Sequence, residues 1–214
     1  MSLTLHYHPL ASFCWKVLIG LYENETPFTP VIVDLGDPAS REVFYSLWPL
    51  GKMPVLEDAG RGEVVAESSV ILDYLDAHHS GPVRFTPQED AWRVRLWDRI
   101  FDLHLHQAMQ KVVTDRIRPQ GQGDPFGVSE ARSQIRAAYG VIEKGLAGRD
   151  WLSGGGFGLA ECAAAPALYY ADRVEPLGAE RPLTAAYLER LKARPSFARV
   201  LAEAKPYFNM FPGD

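Results

Sequence analysis

The 214-residue chain predicts a mixed α/β unit over residues 1–80, a linker over 81–86 and an all-helical unit over 87–214. Three observations carry that reading. The first 35 residues run strand, helix, strand, an order that makes a parallel pair joined by a crossover. A hairpin and a further helix follow, headed by Pro49-Leu50-Gly51-Lys52-Met53-Pro54-Val55-Leu56. Beyond residue 86 every apolar segment repeats at helical spacing and none alternates as a strand would.

Leu3 to His8 alternates apolar and polar residues, which suits a half-buried strand ended by Pro9. Phe13 to Glu23 is apolar at helical spacing, with Ser12 or a neighbour as N-cap. Pro30 to Leu35 is nearly continuous in apolar residues and predicts a strand covered on both faces. Ser40 to Leu47 reads as a short helix, Pro54 to Glu57 and Glu63 to Val65 as the hairpin, and Glu67 to His78 as the next helix. A proline heading a strand belongs at an edge or a turn, or in a cis bond that turns the chain sharply. The Met53 backbone and the helix N-terminus at Glu67-Ser68 would then face one hollow suited to a small peptide-like anion.

In the second half, Thr86-Pro87-Gln88-Glu89 has the pattern of a capping box and predicts a long helix from there to about Ile117. Further helices are expected over residues 129–146, 159–173, 183–193 and 195–204. Asp98 faces the Trp92, Trp97 and Phe101 stripe, which suits a core or a subunit interface. His104 and His106, two apart on a helix, cannot share a metal, and His6 with His8 lacks a third ligand.

A net charge of -5 gives no electrostatic case for nucleic acid. The opening residues lack a basic signal region and no run approaches a membrane span, so a cytoplasmic protein without membrane partners is expected. Cys14 and Cys162 lie far apart, and that compartment argues against a disulfide.

The segment 49–56, the run Glu67-Ser68-Ser69-Val70-Ile71-Leu72-Asp73-Tyr74-Leu75 and the helix start Leu159 to Pro166 together resemble the cytosolic glutathione S-transferases. The similarity extends over essentially the whole chain. It implies a thioredoxin-like N-terminal domain, a C-terminal helical-bundle domain, a homodimer, and glutathione as co-substrate without a metal. By that resemblance Pro54 is the cis proline that turns the Met53 backbone toward glutathione. Lys52 would reach the glycyl carboxylate, Glu67 the ammonium, and Ser68 with its helix N-terminus the γ-glutamyl carboxylate. Glu67-Ser68 equally suits ordinary helix capping. The second substrate would be a small apolar electrophile against residues after Leu10 and Phe101, His104, Leu105 and Met109.

The chemical task is to keep a thiol ionised. A free thiol with a pKa near 8.5 is only about 3% thiolate at pH 7, and lowering it two units takes roughly 2.7 kcal/mol. A hydrogen bond to the charged sulfur supplies about 1.5–3 kcal/mol and a helix N-terminus about 0.3–1. One hydroxyl at the start of the first helix is therefore sufficient. Alignment on Trp15-Lys16-Val17 puts Ala11 at the family's usual serine or cysteine position. Ser12 is the favoured catalytic candidate by a one-residue shift, with Tyr7 and Cys14 as alternatives, and a plain N-cap role remains open for Ser12. A non-catalytic binding or interaction protein on the same fold is the competing expectation. Gly158, lacking a side chain, departs from the family's Ser-x-x-Asp cap and predicts a less firmly started helix.

Overall fold

The computed structural model describes residues 3–212; Met1 and Ser2, which open the stretch read as leaderless, lie outside the described residues. Four strands form one sheet in the order β2-β1-β3-β4, with β1 Leu3–Tyr7, β2 Phe28–Ile32, β3 Val55–Asp58 and β4 Glu63–Ala66. β1 runs parallel to β2 and antiparallel to β3, so Leu5 lies between Pro30 and Leu56. Helix α1 (Ser12–Glu23) makes the crossover, α2 (Pro38–Leu47) precedes the hairpin and α3 (Ser68–His78) follows it. Among the described residues, no helix is long and apolar enough to cross a membrane.

Strand β2 corrects the expectation of a doubly covered strand. It starts earlier, at Phe28, and forms an edge of the sheet with Val31 and Ile32 exposed. An edge tolerates Pro30, which has no N–H to donate. The buried part of that apolar run lies just beyond the strand, where Val33 packs with Phe44 of α2 and Val55 of β3. Helix α2 also starts earlier than its apolar pattern suggests, because Asp37 caps it by accepting the Ser40 N–H at 2.8 Å.

The expected capping box at Thr86 does not form. The long helix begins with α4 (Ala91–Arg99), continues through a π-helical stretch (Ile100–His106) and ends in α5 (Gln107–Arg116). Asp76 on α3 accepts the Phe85 and Thr86 N–H groups at 3.0 and 2.9 Å, and the Thr86 hydroxyl donates to Asp73. Tertiary acceptors thus take the groups that a local cap would have used, and the linker is tied to α3. The fully buried Phe85 ring lies against Gly20, whose missing side chain also admits Leu72.

Helices α6 (Pro125–Gly145), α7 (Leu159–Val174), α8 (Pro182–Lys192) and α9 (Pro195–Ala204) complete the helical half. The start of α7 is firm, contrary to the expectation from Gly158. The fully buried Glu161 carboxylate accepts the N–H groups of Leu152, Ser153 and Gly158 at 2.7, 3.0 and 2.9 Å, and the Tyr187 hydroxyl at 3.0 Å. A carboxylate three residues into the helix does what the absent cap side chain cannot.

Helix α1 joins the two halves, packing on α3 on one side and on α7 and α9 on the other. Trp15 is fully buried, donates from its indole to the Pro9 carbonyl at 2.5 Å and meets the rings of Tyr169, Tyr170, Phe197 and Phe208. One residue on, the Lys16 ammonium is also fully buried. It binds the Asp98 carboxylate, Asp102 at 2.9 Å and the Ser69 hydroxyl at 2.8 Å. Arg99 closes the cluster from the solvent side, donating to Asp98 and Asp102 at 2.7 Å each. Burial works to raise the Asp98 pKa, but the charges of Lys16 and Arg99 prevail and hold it below the ordinary carboxylate range. Burial and the adjacent Asp98 charge push Asp102 up. Asp98 is therefore committed inside the chain and does not face outward toward a partner.

Removing one member of a buried charge cluster strands the others. Lys16→Ala should therefore cost about 3–5 kcal/mol of unfolding free energy in urea titration. A loss below about 1 kcal/mol would show that the cluster does not anchor α1.

Candidate functional site

A cleft of about 890 Å³ opens between the sheet half and the long helix. One wall is the β1–α1 turn, from Leu10 to Phe13. Ala11 is the N-cap of α1, with extended backbone and no side-chain bond, and its carbonyl accepts from Cys14 and Trp15. Ser12 is thus the first helical residue rather than the cap, which corrects one of the roles left open for it. Its hydroxyl is hydrogen-bonded to Nε2 of His106 on the opposite wall.

The floor comes from the segment before β3. The Met53–Pro54 peptide bond is cis, and Gly51, Lys52, Met53 and Pro54 all line the cleft. Gly51 has a φ of 63° and its α-carbon packs under the Tyr45 ring, so both conformation and space require glycine there. Pro54 is buried and Lys52 is exposed.

The end wall is the start of α3. Glu67 is its N-cap residue and has a φ of 66°, a left-handed value that side chains other than glycine adopt at a cost of roughly 1–3 kcal/mol. Its side chain caps nothing. Ordinary helix capping by the Glu67 side chain is thereby set aside. Ser68 is buried and lines the cleft beside it. The six sequence-predicted site residues, Ser12, Lys52, Met53, Pro54, Glu67 and Ser68, therefore share one cavity.

The alternatives to Ser12 lie elsewhere. Cys14 is fully buried, and burial pushes its thiol up to about 12, so it is a poor nucleophile. Tyr7 is also raised, by burial and then by the Glu203 charge, and neither residue lines the cleft.

The long helix presents a different face to the cleft from the one expected. Phe101 and Leu105 are fully buried in the core, and His104 is exposed away from the cleft. Arg99, Asp102, Leu103, His106 and Gln110 line the cleft instead, with Met109 as expected. The lining residues still recur at helical spacing, so the helix is turned about its axis from the expected orientation, as the pairing of Asp98 and Asp102 with Lys16 requires. Tyr170 on α7, which donates to the Leu10 carbonyl at 2.8 Å, and Phe211, stacked on it, form the apolar end.

Residues 5–83 match the family model of the glutathione S-transferase N-terminal domain, and residues 125–202 that of the C-terminal domain. Glutathione S-transferase 3 of Zea mays is 30% identical, over 94% of this chain and 93% of its own length. The chain belongs to the glutathione S-transferase family. FtsZ-localized protein A of Caulobacter vibrioides is 31% identical over 95% of this chain and 92% of its own. A glutathione S-transferase from Methylobacillus flagellatus with glutathione bound is 26% identical, with a TM-score of 0.84 over 92% of this chain and 98% of its own. The fold is accordingly that of a glutathione S-transferase, with a thioredoxin-like N-terminal part and a helical C-terminal part.

Against that family background, Arg99, Asp102 and His106 were missed as cleft residues. The signal available was Lys16, a lone cation in the otherwise apolar run from Phe13 to Leu21, which demands buried acids on whichever helix covers it. Among the described residues, no group of three or more His, Cys, Asp or Glu side chains could hold a metal ion.

Burial and then the Lys16 charge lower the His106 pKa from 6.5 to about 4, so the ring is neutral at pH 7. Between these values the folded chain binds fewer protons than the unfolded chain, so this stabilisation is complete above about pH 6.5 and falls as pH drops toward 4. At about 1.4 kcal/mol per unit, wild type should lose about 3 kcal/mol more than His106→Gln between pH 7 and pH 4. Urea unfolding at the two pH values measures the difference, and parallel losses in the two proteins would contradict it.

Proposed function

We propose that the chain binds glutathione in this cleft and promotes attack of its thiolate on a small apolar electrophile. The observation that carries the reading is the convergence of three unrelated segments on one cavity: the first turn of α1, the cis Met53–Pro54 unit and the start of α3. Each offers a group of the right chemistry. The Met53 backbone can pair with the cysteinyl part of the tripeptide as a short strand does. The start of α3 and Ser68 suit the γ-glutamyl carboxylate, Glu67 the ammonium and Lys52 the glycyl carboxylate. Ser12, at the N-terminus of α1, is assigned as the donor to the sulfur, with the thiol proton released to solvent. The thiolate then forms a carbon–sulfur bond as the electrophile's leaving group departs with its electron pair. Tyr170, Phe211, Leu103 and Met109 favour an apolar electrophile at the other end of the cleft. Exposed Val70 and Trp92 suit burial against a second copy, and the setting is taken as cytoplasmic.

A second reading is favoured by one observation, the 31% identity to a relative named for its localisation with FtsZ. On that reading the chain is an interaction protein that keeps the fold without turnover.

Ser12→Ala separates the two. The enzyme reading expects kcat/KM toward a panel of electrophiles to fall about 10- to 100-fold, the worth of one hydrogen bond to a charged sulfur. Glutathione affinity by calorimetry should change by less than about threefold, since the other anchors remain. Wild-type binding without turnover would favour the interaction reading, and wild type that fails to bind glutathione would sink the enzyme reading.

The Glu67 backbone gives an independent check. Glu67→Gly relieves the left-handed strain and should raise unfolding free energy by about 1 kcal/mol, while glutathione affinity falls about tenfold with the lost ammonium contact. Weakened binding without a gain in stability would mean that the strain is not where the cost lies.

A further inference from the structure

The imidazole of His106 has two nitrogens in unlike surroundings. Nε2 is hydrogen-bonded to the Ser12 hydroxyl, whereas Nδ1 is buried with no hydrogen-bond partner among the described residues. Asp102, four residues earlier on the same helix, is already engaged by Lys16, Ser69 and Arg99. The Phe13 ring, 4.0 Å away between centroids, lies against the imidazole. A neutral imidazole carries one proton. Placing it on Nδ1 would bury an N–H without an acceptor, an arrangement folded proteins rarely tolerate, whereas an unpaired acceptor nitrogen is less costly.

We infer that His106 is a positioning residue for Ser12: its Nε2–H donates to Ser12 Oγ and leaves the hydroxyl proton free to point into the cleft. The inference rests on the reading of Ser12 as donor to the thiolate and adds a tautomer and a direction to it. A hydroxyl has one proton and accepts through its lone pairs. If Nε2 were unprotonated, Ser12 would spend that proton on the ring and could offer the sulfur only a lone pair. With Nε2 protonated, the ring fixes the rotor and polarises the O–H bond that meets the charge. No proton passes through His106, because the same ring serves before and after ionisation of the thiol. Burial and the Lys16 charge keep it neutral across the working range, so its own titration leaves the function unchanged near neutral pH.

The tautomer is measurable without any ligand. Long-range nitrogen–proton NMR on the full chain should report protonated Nε2 for His106, and Ser12→Ala should shift that nitrogen; a proton on Nδ1 overturns the inference. The consequence is read from the ultraviolet absorbance of bound thiolate against pH in the glutathione complex. His106→Leu should raise the pKa of the bound thiol by about one unit and lower kcat/KM at neutral pH about tenfold, with glutathione affinity within about twofold. His106→Gln, which keeps an N–H donor at that reach, should restore most of the loss. A thiol pKa that is unchanged or lower in His106→Leu overturns the inference, the second outcome meaning that Ser12 had been donating to the ring. Wild type that forms no thiolate band with glutathione counts against the glutathione reading instead, and the tautomer measurement still decides the role of His106.

Discussion

The buried ammonium of Lys16 is the constraint on which the arrangement of the cleft depends. A charge with no access to water requires close counter-charges, and Asp98 and Asp102 on the long helix provide them. Their spacing therefore fixes the rotation of that helix against α1. Once it is fixed, Arg99 and Asp102 stand at the cleft, Phe101 and Leu105 go inward, and His106 arrives beside Ser12. A purely apolar contact would tolerate sliding by a residue, as repacked cores do. The charge cluster does not, and so it supplies register where Trp15 supplies burial.

Electrostatic influence from that cluster extends one step further. The Lys16 ammonium adds to burial in holding His106 neutral. The cluster is consequently structural and chemical together, because it decides which wall faces Ser12 and in which protonation state that wall is presented. Arg99 completes it from the half-exposed side, shielding the two acids while remaining on the cleft surface.

Much of the fold was legible in the sequence because its signals are local: alternation in β1, the proline ahead of β3, and the apolar stripes of α6 to α9. The larger failures were tertiary. Thr86 carries a good capping pattern, but Asp73 and Asp76 on α3 were closer at hand for its donors. Gly158 looked like a weak start because the compensation comes from Glu161 and the distant Tyr187. The predicted apolar run at 30–35 was correct in composition and misplaced in depth, since only Val33 of its middle packs under α2. In the cleft, the six predicted residues sit on a turn and two helix starts, where sequence determines backbone. The long-helix wall was misread because periodicity gives a face but not which neighbour it meets, and that is set by the pairing of Lys16 with Asp98 and Asp102.

The first turn of α1 shows how such hidden geometry bears on chemistry. With Ala11 as N-cap the helix begins without a side-chain cap, and the Ser12 hydroxyl lies in the helix proper. There it would be free to rotate and to bond back to its own backbone, as serines in helices do. It is held because a ring reaches it from a different element, ninety-four positions away in sequence. A hydroxyl on one wall is thus held by a side chain on the other. The position of His106 is in turn set by the Lys16 cluster, whose Asp102 lies four residues earlier on the same helix. The Ala11 cap and the orientation of the long helix therefore bear on one group: the first leaves the Ser12 hydroxyl inside the helix, and the second brings it a partner.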